Sequence, residues 1–144
     1  MSRRTDRQHA FCLIFLLEFV EETDMDILFK KYTEHHVDEG EAIDSAFVFE
    51  EFSGVCKNLE IIDEIISETL KAWTTDRLNK VDLALLRLAV YEICFNDKIP
   101  ASVSINEAVE LAKLYGEDEA PGFINAILGA ALKMINEGGD LNPC

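Results

Sequence analysis

One stretch of the chain, residues 80–116, constrains its fold more than any other. The first part reads KVDLALLRLAVYEICF, and its apolar residues return every three or four positions until little of the helix circumference is polar. Such a helix is predicted to lie at the centre of a core. After a break at Pro100 the spacing resumes, with Ser104 and Glu107 placed as a capping box and Gly116 as the stop. The stretch therefore predicts two helices packed side by side.

The remainder of the chain repeats the helical pattern, and no segment alternates with the period of a strand. We predict an all-α bundle of about seven helices in a single domain, residues 1–144, with residues 1–5 and 139–144 frayed. Residues 33–43 lose the periodicity and contain Gly40, which predicts a loop. The other predicted helices cover about 6–20, a short segment near 26–32, a segment capped near Asp44 or Ser45, about 60–73, and about 123–135 before Gly138.

Two features of the charged residues predict their surroundings. Glu50 and Glu51 stand opposite the apolar stripe of the helix that follows Asp44, which predicts two solvated carboxylates. Arg87 instead falls within the apolar central stretch. Because a buried arginine needs a counter-charge, we predict a structural ion pair with Glu92 or Glu107, and a contact with RNA is the alternative.

The distribution of charge restricts where a nucleic acid can bind. The formal net charge is -15, and the field of such a protein repels phosphate. Residues 1–10, however, hold three arginines and one aspartate, whereas residues 11–72 hold four lysines and sixteen acidic residues. Any RNA contact is therefore predicted to concentrate at the N-terminal arm. The acidic faces elsewhere suit a basic protein partner.

Neither a membrane anchor nor a disulfide framework is indicated. The longest apolar run, residues 10–17, is too short to cross a membrane, and glutamates follow it where a signal-peptide cleavage site belongs. We therefore expect a cytoplasmic protein. The cysteines have no close pairs and no flanking histidines, which argues against a zinc site, and the first three are expected to be buried thiols: Cys12, Cys56, Cys94 and Cys144.

No constellation of residues in the sequence indicates catalysis. There is no glycine-rich phosphate loop, no His-Glu-x-x-His and no recognisable nucleophile turn. Glu107 and Glu110 have the spacing of a metal-binding carboxylate pair, but the Glu-x-x-His partners are absent. His35 and His36 are adjacent, yet no third ligand follows at helical spacing, so solvation is the favoured interpretation. We expect no enzyme activity, no cofactor and no metal site.

Three segments, VDLALLRLAVYEI, IPASVSINEAVELAKLYG and FINAILGAALK, resemble in order and separation the signature region of the NusB family of transcription antitermination factors. The resemblance is close over residues 81–133 and looser before them, through Arg7, Ala10 and Ile14. It implies a non-enzymatic RNA-binding adaptor of two three-helix subdomains at a steep angle with one further helix. Family members pair with NusE, a small-subunit ribosomal protein, on single-stranded boxA RNA, and act on RNA polymerase during ribosomal RNA transcription.

The resemblance also assigns residues to an RNA interface. In the family an arginine-rich segment at the start of the first helix contacts RNA, and Arg3, Arg4 and Arg7 occupy that place. Glu119 and Phe123 align with family positions near the bound RNA. The alternatives are three solubilising charges on a frayed terminus, and burial of Phe123 in the core.

A NusE surface is implied at Phe15, Asp76 and Asp82, although solvation accounts equally well for the two aspartates. The chain departs from the family at Cys12 and Phe15, which stand where glutamine and tyrosine are usual. One rival interpretation is a protein-interaction or dimerising module that has lost RNA binding. Another is a fragment of a ribosomal RNA cytosine methyltransferase, for which 144 residues leave no room for a cofactor domain.

Overall fold

The structure, a computed structural model, describes residues 3–20, 25–40, 42–71 and 78–137. These residues form seven α-helices and no strand, which confirms the all-α prediction. None of the described helices is long and apolar enough to cross a membrane. The helices are α1 (Arg3–Leu16, extended by a 3₁₀ turn at Leu17–Phe19), α2 (Met25–Asp38), α3 (Ser45–Lys57), α4 (Leu59–Leu70), α5 (Lys80–Phe95), α6 (Ala101–Tyr115) and α7 (Ala120–Asn136).

Helix α5 is the centre of the bundle, as its sequence predicts. It packs against α1, α3, α4, α6 and α7. Its residues are buried without interruption from Ala84 to Glu92, because neighbouring helices cover every side. Each fully buried leucine of this helix, such as Leu85 or Leu86, stabilises the fold by about 1.5–3 kcal/mol relative to exposure.

The helices form two groups of three, and α5 belongs to the second group. Helices α1, α2 and α3 contact one another, and helices α5, α6 and α7 contact one another. Helix α4 packs against α3, α5 and α7. The arrangement of two three-helix subdomains with one further helix is therefore confirmed, and α4 is the further helix.

The predicted loop at residues 33–43 is wrong over its first half. Helix α2 continues to Asp38 and carries both adjacent histidines in its last turn, and the chain reverses only at Gly40, where φ is +87°. None of the α2 residues is buried. Because a helix that lies on the surface needs no continuous apolar stripe, the loss of periodicity after residue 32 did not mark its end.

Caps decide several helix boundaries. Of the two predicted caps of α3, Asp44 is the cap, since its side chain accepts a hydrogen bond from the backbone N–H of Phe47 at 3.2 Å, and Ser45 is the first helical residue. The capping box of Ser104 and Glu107 is wrong, because α6 already begins at Ala101 and both side chains bond to other helices.

Some predictions at the chain's surface need adjustment. Residues 3–5, expected to be frayed, form the first turn of α1. Cys12, Cys56 and Cys94 are half-buried rather than buried. The predicted stop at Gly138, the frayed segment 139–144 and Cys144 lie outside the described residues.

A glycine inside α3 allows two helices to approach closely. A Cβ atom on Gly54 would lie 2.3 Å from Cε1 of Tyr91, whose ring is buried on α5. We expect Gly54→Ala to lower the free energy of unfolding by about 1–2 kcal/mol in chemical denaturation, because overpacking outweighs the helix propensity of alanine. Gly129→Ala on α7 is the matched control, since its Cβ meets nothing within 4 Å, and we expect it to stabilise. Equal effects of the two substitutions would contradict this account.

Candidate nucleic-acid interface

Arg3 lies at the start of α1 with its guanidinium group against α3. Its Nη1 donates to Oδ2 of Asp44 at 3.2 Å and lies 3.5 Å from Oδ2 of Asp6. The guanidinium carbon is 4.0 Å from the centroid of the Phe47 ring, at the distance of a cation–π contact. The side chain nevertheless remains 51% exposed, so a ligand can reach it.

Arg4 forms a two-pronged ion pair with α6. Its Nε and Nη2 donate to Oε1 and Oε2 of Glu107 at 3.1 and 2.7 Å. The hydrogen bonds from Arg4 hold the pKa of the Glu107 carboxyl below its ordinary value, and the pKa of Arg4 is raised in turn. Because the Arg4 side chain is 54% exposed, the pair is fixed in geometry but open to competition from a phosphate.

Arg7 differs from the other two arginines because it is only 5% exposed. Its Nε and Nη2 donate to the two carboxylate oxygens of Glu92 on α5, at 2.9 and 3.2 Å. Ser104 of α6 donates its hydroxyl to the same carboxylate at 2.7 Å. The guanidinium group of Arg7 therefore ties α1 to α5 and α6, and its setting is that of a structural ion pair.

Glu51 completes this buried cluster, which corrects the prediction that it is solvated. Its carboxyl group is fully buried, and neither oxygen accepts a hydrogen bond from the described residues. Burial, together with the hydrogen bond and the charge of the nearby Glu92, raises its pKa to about 10. Glu51 is therefore a protonated acid at pH 7, and its proton serves as the donor toward Glu92. Glu50, by contrast, is exposed as predicted.

Glu119 and Phe123 stand at the junction of α6 and α7. Glu119 is exposed, and its carbonyl accepts the backbone N–H of Phe123 at 3.1 Å. Phe123 is half-buried and packs against the core. The ring of Tyr115 at the end of α6 lies 5.0 Å from that of Phe11 on α1, so this junction lies beside the helix that carries the arginines.

A groove of about 210 Å³ opens beside the arginines. Arg3 and Arg7 of α1 form one wall, Phe47 and Glu50 of α3 form another, and Lys98 in the connection between α5 and α6 closes the rim. The groove thus combines cations, an aromatic ring and a carboxylate at the end of the molecule that holds the N-terminal charges.

The profile of the NusB family matches residues 4–133, a range that includes both three-helix groups and most of the residues described above. The chain belongs to the NusB family. It is 42% identical to the transcription antitermination protein NusB of Acetivibrio thermocellus over 142 residues, covering 99% of this chain and 96% of that protein. The corresponding protein of Carboxydothermus hydrogenoformans is 43% identical over 141 residues, covering 95% and 96% of the two chains. The chain is therefore a NusB-type transcription antitermination factor.

Solved structures agree with this assignment to the NusB family. NusB of T. maritima superposes with a TM-score of 0.79 at 34% identity, covering 92% of each chain. A chain in the crystal structure of antitermination factors NusB and NusE in complex with dsRNA superposes with a TM-score of 0.78 at 26% identity, covering 92% of this chain and 96% of that one.

The residues that the NusB resemblance implies for a protein partner occupy different settings. Phe15 is half-buried and packs between Phe11 and Phe19, with ring centroids 6.3 and 5.1 Å away. Asp82 is only 8% exposed, and burial together with the charge of Glu117 raises its pKa. Asp76 lies outside the described residues.

In this NusB-family chain the predicted ion pair of Arg87 is confirmed, but both predicted partners are wrong. Arg87 donates Nε and Nη2 to Asp63 of α4 at 2.9 and 2.8 Å, and Nη1 to Glu18 beyond α1. Glu92 lies five residues further along α5, on a different face of the helix, and it is already bonded to Arg7.

Three residues near the arginines of this NusB-family chain escaped the sequence analysis: Phe47, Asn96 and Lys98. Phe47 is one of several apolar residues in α3, and Lys98 is one charged residue in a short connection. Their proximity to Arg3 depends on the packing of α1 between α3 and α5, which no local pattern reports. Among residues 3–20, 25–40, 42–71 and 78–137, no group of three His, Cys, Asp or Glu side chains is placed to hold a metal ion.

Proposed function

We propose that this chain binds single-stranded boxA RNA together with NusE in the cytoplasm, and so supports antitermination by RNA polymerase during ribosomal RNA transcription. Its role is to position macromolecules rather than to catalyse a reaction. The observation that supports this proposal most strongly is the pair of half-exposed guanidinium groups, Arg3 and Arg4, on one end of a protein with net charge -15. The structural similarity to a NusB chain solved with NusE and dsRNA supports it further.

The three arginines have different parts in this proposal. Arg3 and Arg4 are exposed and supply the contacts to phosphate or to unpaired bases, since a guanidinium group both pairs with phosphate in a fork and stacks on a base. Arg7 is buried, and it fixes the direction in which α1 presents the other two. Glu119 and Phe123 follow Tyr115, whose ring contacts Phe11 on the helix that carries the arginines, and they are proposed as secondary RNA contacts.

The acidic exterior is proposed to receive NusE. Complementary charge accelerates the encounter of a basic protein with an acidic surface and suppresses wrong partners. Phe15, Asp76 and Asp82 are the proposed contacts, as the family resemblance implies. Beside Phe15, Phe19 offers an exposed aromatic ring.

A second candidate is a protein-interaction module that has lost RNA binding. The observation in its favour is that Arg3, Arg4 and Arg7 are each engaged by a carboxylate. In that case the ion pairs are permanent, and the arginines only stabilise the fold.

Two substitutions at one ion pair separate these candidates, because they act in opposite directions. Arg4→Ala removes a phosphate contact, so we expect weaker binding of labelled boxA RNA and a salt slope reduced by about 1. Glu107→Gln removes the carboxylate that competes with phosphate, so we expect binding tighter by about two- to fivefold, the range of an exposed ion pair.

The measurement is a titration of labelled RNA at two salt concentrations, with and without NusE. Lys133→Gln, which removes an exposed charge from α7, serves as the control. RNA binding that is absent under all conditions would favour the interaction module. RNA binding that is present but unchanged in both variants would show that Arg4 makes no contact with phosphate.

A further inference from the structure

The groove beside Arg3 contains a flat aromatic surface that already accepts a planar cation. Phe47 is half-buried and packs against the core from one side. The Arg3 guanidinium group lies 4.0 Å from the ring centroid, and that of Arg7 lies 5.8 Å from it. A guanidinium group and a nucleobase are both planar and both stack on aromatic rings, so the position that Arg3 occupies is one that a base can also occupy.

Lys98 provides a cation at the rim of this groove. It is exposed, and among the described residues no carboxylate pairs with its amino group. Lys71 and Lys113 differ, because each is paired with a glutamate three residues earlier. The backbone around Lys98 is held in place, since Oδ1 of Asn96 accepts its N–H at 3.3 Å. The connection thus presents a positive charge that forms no ion pair with the described residues.

Glu50 gives the groove a preference for a base over a second phosphate. Its exposed carboxylate lies on the same wall as Phe47 and repels phosphate. A carboxylate accepts hydrogen bonds from the amino groups on base edges, as it does from cytosine in nucleic-acid recognition. The lining therefore pairs one phosphate-binding cation with one stacking surface and one acceptor.

The volume of the groove limits what it can hold. Sites that enclose drug-sized ligands measure about 300–1,000 Å³, and this groove, at about 210 Å³, is smaller. A single base fits this description better than a base with its sugar and several phosphates, which must remain outside along the rim.

From these observations we propose that the groove between α1, α3 and the connection from α5 to α6 is a subsite for one unpaired base of a single-stranded RNA. The base stacks on Phe47, Arg3 moves outward to cover its other face, and the adjoining phosphate binds Lys98. This assignment rests on the proposed function, because it requires that the chain bind RNA. It adds Phe47, Lys98, Asn96 and Glu50 to the interface.

Paired variants test the subsite against matched controls. Phe47→Leu removes the stacking ring, and Phe49→Leu removes a half-exposed ring from the same helix outside the groove. Lys98→Gln removes the rim charge, and Lys133→Gln removes an exposed lysine from α7. Thermal melting of each variant checks that the fold is retained.

We expect Phe47→Leu to weaken binding of single-stranded boxA RNA by at least about fivefold, because stacking on an aromatic ring contributes about 1–3 kcal/mol per base. We expect Lys98→Gln to lower the salt slope by about 1. A fluorescent base analogue moved along the RNA should be quenched at one position, and that quenching should disappear in Phe47→Leu but persist in Phe49→Leu.

Two outcomes would overturn the subsite while leaving the proposed function intact. The first is that the wild-type protein binds RNA, and that Phe47→Leu and Lys98→Gln bind it with the same affinity and salt slope as the control variants Phe49→Leu and Lys133→Gln. The second is that a free nucleoside monophosphate displaces the labelled RNA and binds as tightly as the RNA does. That result would assign the groove to a free nucleotide instead of a base within a strand. If the wild-type protein binds no RNA with or without NusE, the proposed function fails as well.

Discussion

Arg7→Ala is expected to lower the free energy of unfolding by about 3–5 kcal/mol, the largest loss that we expect from one substitution in this chain. The reason is the carboxylate of Glu92, which is 1% exposed and receives both donors of the Arg7 fork. Removing the guanidinium group leaves a buried negative charge without its counter-ion, and Ser104 alone cannot replace it.

Chemical denaturation at pH 7, followed by circular dichroism, measures this loss. Arg3→Ala is the matched control on the same helix, and we expect a loss below about 1 kcal/mol because its ion pairs are exposed. Adding Glu92→Gln to Arg7→Ala should restore part of the stability, since a neutral amide is less costly to bury than a carboxylate. A loss below 1 kcal/mol in Arg7→Ala would show that Arg7 is not a structural ion pair.

The contrast between Arg3, Arg4 and Arg7 illustrates what the sequence can predict. Their positions at the start of a helix follow from local pattern and charge. Which of them turns inward does not, because the partner of Arg7 is 85 residues away. Spacing places all three within two turns of α1, and only the packing of α5 against α1 selects one for burial.

Helix α5 was predictable because burial on all sides requires apolar residues on all sides, and this leaves a direct mark on the sequence. The capping box of Ser104 and Glu107 failed for the opposite reason. A local pattern predicted local hydrogen bonds, whereas Glu92 and Arg4 offered these side chains charged partners on other helices. The predicted end of α2 came too early in the chain, because a helix without buried residues shows little apolar periodicity in its sequence.

The RNA-binding residues were assigned by resemblance, and the groove had no signature that sequence alone could supply. Phe47, Lys98 and Arg3 come from three separate segments. Each is unremarkable in its own segment, and only their convergence indicates a site. The same holds for Glu51, whose position opposite an apolar stripe predicted solvation although α5 covers it.

Glu51→Gln is expected to stabilise the protein, and increasingly so as the pH rises. The pKa of Glu51 is about 10 in the folded protein, against 4.5 as its ordinary value, because burial and the adjacent Glu92 disfavour the charged form. Because the pKa is raised in the folded protein, the unfolded chain loses this proton at a lower pH than the folded protein does. The contribution of the neutral carboxyl is therefore fully present below pH 4.5, and it declines as the pH rises toward 10.

Glutamine has nearly the shape of the protonated acid, can donate to Glu92, and does not ionise. When the folded state binds one proton more than the unfolded state, its stability falls by about 1.4 kcal/mol for each pH unit. The free energy of unfolding of Glu51→Gln relative to wild type should therefore grow by up to about 3 kcal/mol between pH 7 and pH 9. The comparison stops at pH 9 because burial raises the pKa of Cys56 to about 11 and of Tyr91 to about 12, and these groups affect stability in more alkaline solution.

Denaturant unfolding of both proteins at several pH values measures this difference. Glu50→Gln is the control, since that neighbouring carboxylate is exposed, and its stability should follow the wild-type curve at every pH. Parallel curves for Glu51→Gln and wild type would mean that Glu51 ionises in the folded protein. The cluster of Arg7, Glu92 and Glu51 would then hold two carboxylates against one guanidinium group. In the neutral form of Glu51, the same cluster is one balanced ion pair with a proton-donating neighbour, which is the arrangement that a buried site tolerates.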